Sequence, residues 1–226
     1  MIDERIMFNT SSNKRWDLAK GGLISRAFML DDIMNDNASN VVVFDSLGTI
    51  QGYEGAEIGK HKEFYLQKVS EAHGMSVEEM LGNVPAETYL QWTAEMIYDG
   101  KLVPKSLQGA EKIIQERKSK GFRPVIVTAD IPEAAELTSK PFVESGLISA
   151  LDVYAILDLG SKKNPQTWTK WKYENMDKSR IASVYEDTPA NLDGALSAFQ
   201  TYGFLVKETE EDLSCTLNEL YDGFAP

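Results

Sequence analysis

The run Val41-Val42-Val43-Phe44-Asp45, continued by Ser46-Leu47-Gly48-Thr49-Ile50, decides how this chain is read. Its four consecutive apolar residues show neither the alternation of a one-sided strand nor the 3.6-residue period of a helix. They suit a strand buried on both faces of a parallel sheet. The run leaves the sheet through a carboxylate and a glycine-containing turn, which puts polar chemistry at the strand's carboxyl end. Similar runs recur at 124–128, 153–157, 181–185 and 203–206. Helical patterns lie between them at 106–120, closed by Gly121, at 132–145, closed by Gly146, and at 166–175 and 189–199. Strand and helix therefore alternate from Ser106 onward, which predicts an α/β, doubly wound parallel-sheet core with right-handed crossovers. Ligands of such a core bind beyond the carboxyl ends of its strands.

One block breaks the alternation. Residues 56–100 carry only helical signals: a pattern over 56–73, a capping box at Ser76-Val77-Glu78-Glu79, and a second pattern over 86–98. An all-helical block between two core strands predicts an inserted cap domain over 53–103, hinged near 51–55 and 99–104. The core then comprises 41–52 and 104–226, and residues 1–40 form an N-terminal extension with one weak helical pattern at 22–34. That extension reads as a packing or dimerising element, so a homodimer is among the expected partners.

Composition narrows the function. The 226 residues include 42% hydrophobic and 26% charged side chains, enough for a packed core and unlike a disordered chain. Lys and Arg number 23 against 35 Asp and Glu, a net charge of −12 that repels nucleic-acid backbones and anionic membranes. The longest apolar run, residues 41–44, is far too short to cross a bilayer, and the start of the chain has no signal-peptide pattern. The single cysteine, Cys215, excludes an intramolecular disulfide and reads as cytoplasmic.

Four strand ends supply candidate chemistry. Asp45 leaves the first strand into a turn in which Gly48 allows tight backbone geometry and Thr49 can hold the loop. Thr128 ends the strand 125–127 and can donate a hydroxyl hydrogen bond to an anionic oxygen. Lys162 lies in the loop Gly160-Ser161-Lys162-Lys163-Asn164-Pro165. Glu186-Asp187 follow the strand 181–185, with Asn191 and Asp193 at the start of the next helix, and hard carboxylate oxygens of this kind suit Mg²⁺.

Taken singly these are ordinary residues, but their order is specific: strand and Asp, helical insert, strand and Thr, Lys loop, strand and acidic pair. In this the chain resembles the haloacid dehalogenase-like hydrolase superfamily, through Phe44-Asp45-Ser46-Leu47-Gly48-Thr49, Val127-Thr128-Ala129-Asp130, Gly160-Ser161-Lys162-Lys163-Asn164-Pro165 and Val184-Tyr185-Glu186-Asp187-Thr188. The resemblance implies that Asp45 is a nucleophile forming an aspartyl intermediate. It implies that Thr128 and Lys162 hold the oxygens of the transferring group, and that Gly48, Thr49 and Ala129 line the substrate. Asp45, the Leu47 backbone carbonyl, Glu186 and Asp187 would hold Mg²⁺, and the cap would close over a small phosphorylated substrate.

Phosphatases of this kind place a second Asp two positions after the nucleophile, where this chain has Leu47, which has no proton to give. Three readings follow. One is a Mg²⁺-dependent phosphohydrolase whose substrate needs no acid or whose acid comes from elsewhere. Another is chemistry at a carbon–halogen or phosphorus–carbon bond, though the acidic pair speaks against halide displacement and no cap lysine among Lys60, Lys62 and Lys68 matches a Schiff-base motif. The last is a catalytically weakened domain that binds a ligand or a protein. His61 and His73 read as helix-surface residues, Trp168, Trp171 and Tyr173 as helix packing with a solvated face, and Tyr89, Trp92 and Met96 as the apolar seam of the cap.

Overall fold

The computed structural model describes residues 40–217. A six-stranded sheet has the order β5-β4-β1-β6-β7-β8. β1 is Asn40–Phe44, β4 Arg123–Thr128, β5 Val153–Ala155, β6 Arg180–Glu186, β7 Tyr202–Glu208 and β8 Leu213–Leu217. All pairings are parallel except β7 with β8. The chain winds from β1 outward to β4 and β5, then crosses back to β6 and β7. β1 therefore stands at the switch point, flanked by β4 and β6, where an open α/β sheet forms its crevice.

The valine run behaves as a two-faced strand. Val42 and Phe44 pack on one face with Ile114 of helix α4 (Ala110–Ser119) and Phe142 of α5 (Pro132–Glu144). Val41 and Val43 pack on the other with Trp168 and Trp171 of α6 (Pro165–Asn175) and Leu192 of α7 (Pro189–Phe199). Both tryptophans are fully buried, whereas Tyr173 is exposed, so this helix is packing plus a solvated face.

Between β2 (Gln51–Tyr53) and β3 (Pro104–Ser106) the chain is helical: α1 His61–Ala72, α2 Val77–Asn83 and α3 Ala86–Tyr98. These enclose an apolar centre of their own, with Tyr65, Leu66, Val69, Met80 and Met96 buried and Tyr89 and Trp92 packed on it. Ser76 and Glu79 form both bonds of the capping box that starts α2. No helix among the described residues is long and apolar enough to cross a membrane.

Several elements differ from the sequence reading. The first hinge segment begins as β2, which pairs antiparallel with β3 at the end of the second as a separate two-stranded ribbon. β8 adds an antiparallel edge. The run at 153–157 stops as a strand at Ala155, and Leu157–Leu159 turns into a 3-10 helix. The first insert helix begins at His61 instead of residue 56, and α4 begins at Ala110 instead of Ser106. The expected helix at 22–34 lies outside the described residues. His61 is no surface residue: it is 2% exposed. Its Nδ1 accepts from the Tyr53 backbone N–H at 3.1 Å, which places the ring proton on Nε2, and Nε2 donates to Glu208 Oε2 at 2.8 Å. The first residue of α1 is thus tied to the last residue of β7. His73 stacks on Trp92 with ring centres 3.8 Å apart.

Candidate active site

The parallel register brings three strand ends level. Phe44 pairs with Ile126 on one side and with Tyr185 on the other, so Asp45 emerges beside Glu186, with Thr128 just beyond on β4. Asp45 keeps 12% of its side chain exposed, whereas Lys162 and Glu186 keep 2% and 0%. The Lys162 Nζ donates to Asp45 Oδ1 at 2.6 Å and also to Glu186 Oε2. Lys162 reaches this position because its loop is pinned from below. Its backbone carbonyl accepts from Trp168 Nε1 at 2.6 Å, and Asn164 caps α6 by accepting from the Gln166 N–H.

Both Glu186 oxygens are engaged. Oε2 takes the lysine, while Oε1 accepts from the Thr188 N–H and from Asn191 Nδ2, both at 3.3 Å. Asp187 is the more open member of the pair, and its Oδ1 accepts from the Thr49 hydroxyl at 3.4 Å. Gly48, at φ +84°, passes so close that a Cβ there would lie 2.6 Å from Asp187 Oδ2. The turn thus needs glycine both for its left-handed backbone and for the approach of Asp187.

Charge in this cluster does not balance. Asp45, Glu186 and Asp187 offer oxygens within 4.8 Å of one another. Against three carboxylates stands one ammonium. Burial, then the charge of Glu186, pushes the Asp45 carboxyl up to about 6 despite the opposing Lys162. Burial also raises Glu186, and burial followed by the Asp45 charge raises Asp187. Burial alone would depress Lys162, but the charges of Asp45 and Glu186 outweigh it and hold the ammonium above its ordinary value. A cluster of hard oxygens with surplus negative charge has the donor chemistry that a divalent cation requires. Asp45 and Asp187 are its accessible donors, and Glu186 is engaged in fixing Lys162.

Other expected residues fall differently. The Gly48 N–H donates to the Gln51 carbonyl at 2.8 Å and the Thr49 N–H to the Ser46 carbonyl at 3.2 Å, so these amides stabilise the loop instead of facing a ligand. Thr49 is fully buried and braces Asp187. Ala129 is exposed beside Thr128. Leu47 packs against the apolar centre of the helical insert, so its side chain joins the insert to the loop of the nucleophile candidate. Thr128 Oγ1 donates to Asp130 Oδ2 at 2.8 Å. Asp130 stood in a motif without an assigned role, because nothing in its spacing marks a carboxylate two residues past a strand-ending threonine.

No family model matches the sequence, and no curated protein matches it. Solved structures do. CbbY from Rhodobacter sphaeroides, in complex with phosphate, superposes with a TM-score of 0.52 at 12% identity, over 76% of this chain and 87% of that one. A mutant of the same protein in complex with xylulose-(1,5)bisphosphate gives a TM-score of 0.51 at 12% identity and the same coverage. A doubly wound sheet with a helical insert after its first strand defines the class, and the fold within that class is haloacid dehalogenase-like.

Proposed function

We propose that this protein is a Mg²⁺-dependent phosphohydrolase acting on a small phosphorylated metabolite, with Asp45 as nucleophile and the helical insert over 53–103 as a cap. The observation that carries the reading is the Asp45 carboxylate at the switch point, held by Lys162 and set beside Asp187. In this reading Asp45 attacks phosphorus in line, the phosphorus–oxygen bond to the leaving group breaks, and an aspartyl phosphate remains for water to hydrolyse. Lys162 orients the Asp45 oxygen and offsets charge on the transferring group, while Thr128 ends β4 close enough to take part in binding it. Bound Mg²⁺, held by Asp45, Asp187 and the Leu47 carbonyl with Glu186 in support, would supply positive charge for the phosphoryl oxygens. The phosphate and bisphosphate bound by CbbY, which shares the fold, are consistent with this substrate class.

The test is release of phosphate from para-nitrophenyl phosphate and acetyl phosphate, with Mg²⁺ and with EDTA. Both substrates leave without an acid. We expect Mg²⁺-dependent turnover that Asp45→Asn abolishes while the far-UV spectrum stays unchanged. Turnover that persists in Asp45→Asn removes the nucleophile assignment. Silence on both substrates shifts the reading to carbon or phosphonate chemistry, or to a binding domain.

A further inference from the structure

Leu47 leaves the proposed reaction without a proton donor, yet a second carboxylate stands at the same crevice. Asp130 follows the end of β4, and its Oδ2 is held by the Thr128 hydroxyl at 2.8 Å. The next residue, Ile131, is buried in a cluster with Ala134 of α5 and with Leu90 and Ala94 of α3 in the helical insert, which fixes Asp130 where the insert meets the sheet. The Asp130 charge is coupled to Asp45 and Lys162 on the sheet side. On the insert side it acts on the phenols of Tyr53, Tyr65 and Tyr89. A carboxyl between the nucleophile and the insert lies where a leaving group must depart if phosphorus sits against Asp45.

We propose that Asp130 is the general acid and base of this site, in place of the carboxylate absent at Leu47. The inference rests on the phosphohydrolase reading above. In the first step an Asp45 oxygen bonds to phosphorus, the bond to the leaving oxygen breaks, and that oxygen takes the proton of the Asp130 carboxyl. In the second, a water oxygen bonds to phosphorus, Asp130 takes the water proton, and the bond to Asp45 breaks. Inorganic phosphate leaves and Asp130 is protonated again, so each turnover closes. The Thr128 hydroxyl occupies Oδ2, which leaves Oδ1 to carry the proton. Burial, tempered by the Thr128 bond and reinforced by the Asp45 charge, pushes the Asp130 carboxyl up to about 6, close to where a general acid works best.

The experiment compares the native protein with Asp130→Asn, which keeps an acceptor for Thr128, on para-nitrophenyl phosphate and on glycerol 2-phosphate with Mg²⁺. Asp130→Asn should release one equivalent of nitrophenolate quickly and then turn over roughly 10²-fold or more slowly, with phosphorylated Asp45 accumulating in the intact mass. On glycerol 2-phosphate, which leaves poorly, the first step itself should slow by a comparable factor. Leu47→Asp added to Asp130→Asn should restore turnover and remove the burst. The native protein provides a readout independent of the variant's folding. Its kcat/KM for glycerol 2-phosphate should fall as pH rises above about 6, and its kcat/KM for acetyl phosphate should not. Unchanged turnover without a burst in Asp130→Asn, or identical pH profiles for the two substrates, overturns the role of Asp130 while native activity leaves the phosphohydrolase reading standing. Absence of Asp45-dependent activity in the native protein overturns both.

Discussion

Lys162 is the residue on which the crevice depends most heavily. Its ammonium lies between two carboxylates, and one of them, Glu186, has no contact with solvent. Removing one partner of a buried ion pair leaves the other charge uncompensated, at a cost of about 3–5 kcal/mol. Lys162→Met should therefore lower the melting temperature as well as turnover, and part of the loss should return at acidic pH, where Glu186 accepts a proton instead. A melting curve at two pH values checks this, and equal losses at both would mean that Glu186 finds another partner. Gly48→Ala combines a left-handed backbone with a Cβ 2.6 Å from Asp187 Oδ2. It should cost about 1–2 kcal/mol from the backbone alone and weaken Mg²⁺ binding besides, measurable by calorimetric titration. At this scale the sequence was legible wherever residue type and order coincide, as at Asp45, Thr128, Lys162 and Asp187. It was silent on Asp130, whose significance comes from Leu47 and from helices far away in the chain. It misplaced His61 because a histidine that begins a helix shows no sign in sequence of the glutamate that will cover it.

Among the elements, the five parallel strands announced themselves. Burial on both faces demands continuous apolar runs, and such runs are visible without any partner. β2 and β3 have three residues each, too few to show a period, and they pair across the whole helical insert. β8 carries Ser214, Cys215 and Thr216, a polar composition suited to an edge strand and easily taken for loop. α7 offers a test in which two effects oppose. Alanine in place of glycine inside a helix gains about 0.5–1 kcal/mol of intrinsic stability. At Gly194, however, a Cβ would lie 2.3 Å from the Lys162 carbonyl and 2.9 Å from that of Lys163, both backbone atoms with little room to retreat. The clash should win: Gly194→Ala should destabilise the protein and reduce turnover by displacing Lys162. A variant that is more stable and equally active would show that the lysine loop is free to move.

The molecule as a whole has a surplus of negative charge, and the crevice concentrates it. Asp45 and Asp130 both titrate near 6 in the fold against 3.8 for the ordinary side chain. The folded state thus holds their protons more tightly than the unfolded chain, and the stability this gives is complete below about 4 and lost as pH rises through about 6. With chelator present, the protein should melt at a higher temperature at pH 5 than at pH 7.5. Mg²⁺ should narrow the gap: at about 100 times its Kd it adds about 2.7 kcal/mol, roughly 5–10 °C, and does so more fully where the carboxylates are ionised. Thermal scans across pH with and without Mg²⁺ check both signs, and a melting temperature indifferent to Mg²⁺ at pH 7.5 would remove the metal from the site.

Two of the contacts that fasten the helical insert to the core differ in kind. On one side the buried His61 ring bonds to Glu208. On the other, beside Asp130, the contact is a buried seam of Leu90, Ala94, Ile131 and Ala134 with Tyr89, Leu137 and Leu157 packed around it. Asp130 lies beside that apolar seam, so anything that parted the insert from α5 would bring water to the carboxyl and favour its charged form, and closing the seam again would favour the proton.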